Sequence, residues 1–158
     1  MSIKKIVLLT ISHIAVGVLG FAAGIYYLPI LIAPTAPSSE EINQLALNGQ
    51  FQAQFERALA GSDALHWGEG QVFLSDEVVT FLGQLAPGPD YKLYLSPTFV
   101  ENEAEFEQAK AQMIQVGDIN TFDNFIVTLP KGVNLAKYNT VIVWCESFGE
   151  FITAGQYQ

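Results

Sequence analysis

The chain has 158 residues, seven basic and sixteen acidic, with a formal net charge of −9 and a single cysteine. Setting aside Lys4 and Lys5 leaves five basic residues against sixteen acidic ones, and the resulting −11 argues against nucleic acid as a partner, because phosphate binding needs a basic footprint. One cysteine rules out an internal disulfide and leaves only bridging to another chain or to a small thiol.

Residues 6–33 contain no Asp, Glu, Lys or Arg. About 20 apolar residues cross a bilayer, and residues 6–25 already supply them, with Tyr26 and Tyr27 placed where an interfacial aromatic belt belongs. The expectation is one N-terminal transmembrane helix, residues 1–33 forming a cytoplasmic tip and anchor. Lys4 and Lys5 bias the N-terminus toward the cytoplasm and send the remainder outward. The competing reading is a cleaved signal peptide. It fits less well, because the apolar run exceeds a signal core and the small residues Ala33 and Ala36 are each followed by proline. No cysteine follows the run to be acylated. The expected location is therefore the inner, cytoplasmic membrane, single-pass, with the C-terminal domain in the periplasm or outside the cell. Within the span, His13 has Ser12 and Thr10 as local hydrogen-bond partners, and Gly20 with Gly24 makes a GxxxG pattern.

Residues 34–48 read as a linker and short helix. Pro34 and Pro37 stiffen it, Ser38 with Glu41 resembles a capping box, Ile42, Leu45 and Ala46 make an apolar face, and Asn48-Gly49 supplies the stop. From residue 49 to 158 short runs of period two are separated by Gly, Pro and Asp, which predicts an antiparallel β domain, a sandwich or a barrel. Strands are expected near 51–57, 67–74, 78–85, 91–96, 122–129, 140–146 and 148–154. Turns are expected at Pro87-Gly88-Pro89-Asp90 and Pro130-Lys131-Gly132. Residues 102–114 have helical spacing instead, with Phe106, Ala109 and Met113 on one side, and predict a short surface helix joining two strands.

In the run VIVWCESF, residues 141–148, an extended strand puts Val141, Val143, Cys145 and Ser147 on one face and Ile142, Trp144, Glu146 and Phe148 on the other. Cys145 is then either a small buried hydrophobe or a functional thiol. His66, ahead of Gly68 and Gly70, is the one histidine beyond the span. If the fold brings it to Cys145, the pair offers a thiolate with a base, or two ligands for a metal or a haem iron. Structural zinc lacks ligands, and no Cys-x-x-Cys-His is present for covalent haem, which leaves non-covalent haem through Cys145, His66 or Met113. Glu101, Glu103, Glu105 and Glu107 fit a solvated helix start. Asp118, Asn120 and Asp123 near Gly117 fit turn chemistry.

The segments GSDALHWGEGQVFL, LAPGPDYKLYLS and FIVTLPKGVNLAKYNTVIVWCESFGEFITA resemble the electron-transfer DM-thirteen domain family over most of residues 49–155. Three features occur in order: the Gly88-Pro89-Asp90 turn before a strand, Leu129-Pro130 followed by Val133-Asn134-Leu135 and Tyr138, and the Trp144-Cys145 pair before Phe148 and Phe151. The resemblance implies a β-rich extracytoplasmic domain, here a membrane-anchored bacterial member, whose nearly invariant cysteine corresponds to Cys145. It implies redox chemistry by a free thiol or by a bound prosthetic group such as haem, with a redox or envelope protein as partner. His66 matches a histidine frequent before the second strand. Asn134 departs from the usual aspartate, and residues 102–114 fall where members vary. The alternative is a non-catalytic envelope interaction or assembly module with a structural cysteine.

Overall fold

A computed structural model describes residues 2–158. Its first element, α1 (Ile3–Ile32), is 30 residues long, none of them buried, and is long and apolar enough to cross a membrane. At about 1.5 Å of rise per residue the helix extends roughly 45 Å, beyond the ~30 Å of a hydrocarbon core. The second helix, α2 (Ser39–Ala46), begins as its sequence dictates. The Ser38 hydroxyl accepts from the Glu41 N–H at 3.2 Å, and Ile42 is fully buried.

The rest is a sandwich of two four-stranded antiparallel sheets. The first sheet contains β1 (Phe51–Phe55), β2 (Gly68–Leu74), β3 (Val78–Leu85) and β6 (Phe125–Thr128), in that spatial order. The second runs β5-β4-β7-β8, with β5 (Ile114–Ile119), β4 (Tyr91–Ser96), β7 (Thr140–Cys145) and β8 (Glu150–Gln156). Between the sheets lies the main core, where Phe55, Phe81 and Phe125 pack ring to ring with Val72, Leu93 and Val143 around them.

A second, smaller core covers the outer face of the second sheet. The connection from β4 to β5 carries α3 (Glu103–Ala109), capped by Asn102, whose side chain accepts from the Glu105 N–H at 3.0 Å. This helix buries Phe106 flat on Trp144, ring centroids 3.8 Å apart and planes 9° from parallel, with the Tyr94 ring edge-on at 5.2 Å. The strand β7 is therefore buried on both faces along its whole length.

Two strand expectations need correction. The helical reading of residues 102–114 stops at Ala109, and a 3₁₀ turn over Lys110–Gln112 leads into β5, which the sequence pattern concealed. Gly117 and Asp118 looked like turn residues, but they lie inside β5. A Cβ on Gly117 would come within 2.8 Å of Val127 on the opposite sheet, so the glycine there permits close sheet approach. Asp118 pairs with Lys92 of β4 at 2.8 Å. The other correction concerns the far end of the cysteine strand. It ends at Cys145, and residues 146–149 form the turn into β8, with Gly149 at φ 68. Trp144 packs on the outer face as expected, whereas Phe148 is 53% exposed in the turn.

Candidate functional site

Alternation along β7 places Val141, Val143 and Cys145 in the main core and Ile142 and Trp144 in the outer one, as the pattern of the run dictates. The thiol of Cys145 sits at the end of that inner row. It donates to the Pro89 carbonyl at 3.0 Å, while the Glu146 N–H donates to the Asp90 carbonyl at 3.1 Å. Two of the motifs that stand far apart in sequence are thus one structure, the Gly88-Pro89-Asp90 turn being pinned to the strand end that carries the sulfur.

Asp90 adopts the left-handed conformation at φ 57, which aspartate tolerates better than most residues. Its carboxylate keeps the turn in place by accepting from the Ser147 hydroxyl at 2.8 Å and pairing with Lys92 at 2.7 Å. Across the sheet Cys145 is directly opposite Tyr91, whose hydroxyl donates to the Ala86 carbonyl at 2.9 Å.

His66 lies in the loop between β1 and β2. Asp63 organises that loop, accepting from the Leu65 and His66 N–H groups on one oxygen and pairing with the His66 Nδ1 at 3.1 Å on the other. Those hydrogen bonds, the Leu65 N–H first, hold the Asp63 carboxyl below its usual range.

Cys145 and His66, the two residues singled out from the sequence, line one cavity of about 320 Å³. Its other walls are the Pro87–Pro89 turn, Tyr91, the exposed side chains of Leu65 and Phe148, and the face of α1 carrying Ala22, Ile25 and Tyr26. Sequence reasoning missed this contribution of α1 and of Tyr91. The spacing of Ala22, Ile25, Tyr26 and Pro29 on one helical face was the available signal.

The electrostatics favour a protonated thiol. Burial pushes the Cys145 pKa up from its ordinary 9.0, and the carboxylates of Asp90 and Glu150 push it further, against the opposing pull of the Phe148 and Ser147 N–H groups. Glu146, the acidic neighbour in sequence, is held on the outer face by the Tyr94 hydroxyl and by Lys110 at 3.2 Å. The sulfur is also nearly closed to solvent, Cys145 being 3% exposed.

Of the haem donors the sequence offers, Cys145, His66 and Met113, the fold brings only Cys145 and His66 to one cavity. Iron ligation by cysteine requires the thiolate, and here the sulfur is a buried donor whose nearest charges are negative. Met113 packs with the outer core, on the other side of the sheet from Cys145. Among the described residues no group of three or more His, Cys, Asp or Glu side chains could hold a metal ion.

Fold and site together define a two-sheet β-sandwich domain with a single protonated thiol at the floor of an apolar cavity. The profile of the family described as electron transfer DM13 matches residues 54–157, and the chain belongs to that family. That span takes in all of β2 to β8, His66, the Pro89 turn and Cys145. Neither the curated proteins nor the solved structures compared with the chain gave a match.

Proposed function

We propose that the chain is a single-pass protein of the cytoplasmic membrane whose sandwich domain, residues 49–158, works as a redox module on the periplasmic or outer side. Cys145 is its working group. The observation that carries this reading is that the sulfur, at the end of the inner row of β7, lines one cavity together with His66. Lys4 and Lys5 before an apolar helix support the orientation. The family's electron-transfer character supports the redox role.

The raised pKa assigns the thiol a particular mode. At neutral pH it is S–H with its proton on the Pro89 carbonyl, so it meets a bound electron carrier as a packing group and weak acceptor rather than as a thiolate nucleophile in disulfide exchange. His66, steadied by Asp63, is the second polar group available to that carrier.

A specific observation favours a second reading. Cys145 is 3% exposed and its proton already serves the Pro89 carbonyl, as a structural cysteine in an envelope interaction module would have it. Thiol modification separates the two. A small neutral methanethiosulfonate should modify Cys145 in the folded chain through the cavity, more slowly than after unfolding. A bulky charged maleimide should react only after unfolding. If neither reagent touches the folded protein, and Cys145→Ala leaves its redox behaviour in membranes intact, the structural reading replaces the redox one.

A further inference from the structure

The cavity at Cys145 has an unusual wall. Ala22, Ile25 and Tyr26 belong to α1, and Leu28, Pro29 and Ile32 of the same helix, with Ala33 and Pro34 just past its end, line further hollows beside the Pro87–Asp90 turn and Phe122. Counting about 20 residues from Ile6, the first residue after the lysines, ends the hydrocarbon crossing at Ile25. The cavity therefore lies level with the outer rim of the bilayer, where Tyr26 and Tyr27 mark the interface. Leu65 and Phe148, 57% and 53% exposed, flank it with apolar surface that water disfavours and lipid does not.

The chemistry of the lining narrows what enters. Asp90 at the adjoining turn, Glu150 in the wall and the charge of −11 beyond Lys5 repel anionic head groups. The flat faces of Pro87, Pro89, Tyr91 and Phe148 suit a planar ring. Polar groups are few and specific. A carboxylate only accepts, so His66 carries hydrogen on Nδ1 toward Asp63, and in the imidazole form of the ring Nε2 is then an acceptor. Pro29 has no N–H, so the Ile25 carbonyl in the same wall lacks its usual helical partner and is a second acceptor.

We infer that the cavity receives, from the bilayer, the ring of an uncharged lipid-soluble carrier of the quinone and quinol type, with His66 accepting a ring hydroxyl. This inference rests on the membrane-anchored redox reading above and names its carrier class. The reduced ring, which has hydroxyls to donate, is the better-held form.

The test uses the full chain in phosphatidylcholine nanodiscs titrated with decylubiquinone and decylubiquinol, reading tryptophan emission, since Trp67 adjoins His66. Saturable quenching beyond that expected from lipid partition alone is the expected result. Ala22→Phe, which fills the cavity from its helix wall at a position that is not buried, should raise the half-saturating concentration tenfold or more. His66→Gln should weaken the quinol several-fold more than the quinone. Quenching that rises linearly with partition, indifference to Ala22→Phe, or equal displacement by decanol would each overturn the inference. Alkaline carbonate extraction of the expressing membranes keeps the two levels apart. Protein that stays in the pellet without saturable binding sinks the carrier alone, whereas protein released to the supernatant removes the anchor, and with it the bilayer as source.

Discussion

Replacing Phe106 with alanine tests whether α3 is what covers the outer face of the cysteine strand. Phe106 is fully buried, stacked on Trp144 and met edge-on by Tyr94. Truncating a buried phenylalanine costs about 3–5 kcal/mol, and loss of a well-placed aromatic pair lies within that figure rather than on top of it. Collapse of the site offers little relief, because Trp144 is fixed by β7 and Phe151 stands beside it. A loss of about 4 kcal/mol is therefore expected, which at a urea dependence of about 2 kcal/mol per M lowers the midpoint by about 2 M. Seven residues cannot sustain a helix without tertiary support, so α3 should detach and the near-UV circular dichroism of Trp144 should fall. The assay is urea unfolding of the full chain in detergent, followed by tryptophan emission and near-UV signal. A midpoint shift below about 0.5 M with an unchanged near-UV spectrum would refute the claim that this stack secures the sheet.

Alkaline pH should weaken the fold. Burial, the first cause in each case, raises the pKa of Cys145 from 9.0 and of Tyr91 and Tyr157 from 10.0, so each contributes stability that is full below those ordinary values and lost as pH climbs through the raised ones. Urea midpoints should therefore hold level to about pH 8 and decline once pH passes 9, and a flat or rising profile above that point would contradict this. Cys145→Ala should remove the earliest part of that decline. Asp90→Asn keeps a residue that tolerates the left-handed turn and an oxygen for the Ser147 hydroxyl, while deleting a charge that holds the thiol protonated. Modification of Cys145 by the neutral methanethiosulfonate should accelerate in this variant, with the rate profile moving to lower pH. An unchanged profile would mean that burial alone sets the thiol.

Much of the sandwich was legible because local pattern and final burial agree. The strands at 78–85 and 91–96 occupy the spans expected of them, β1 buries alternate residues, and Ser38 caps α2 as its spacing requires. The strand β5 was hidden because Gly117 and Asp118 are poor strand formers by propensity. They are retained there by the approach of Val127 and by Lys92, both distant in sequence. At the site, the inward direction of Cys145 follows from period two. The contact with Pro89 does not, because it depends on which strand pairs with β7, and pairing across 56 residues is set by the whole fold. The resemblance placed the Pro89 turn and Cys145 in the same signature, and the hydrogen bond supplies the physical reason why they travel together. The share of α1 in the cavity escaped notice because a stretch apolar on all sides explains itself as a membrane span before any face of it is asked to pack on protein.

Hydrogen-bonded to β4 on one edge and β8 on the other, and covered above and below, β7 should surrender its amide protons only when the whole sandwich opens. Its last residue thus stands on a floor that does not breathe. The four residues that follow are different, tied to the Cys145 carbonyl, the Asp90 turn and, through Glu146, Tyr94 and Lys110, with Phe148 out in solvent. If the proposed role of Cys145 holds, access to the sulfur is then governed by a short segment that carries no thiol itself, and a substitution there would change reactivity while leaving the cysteine in place.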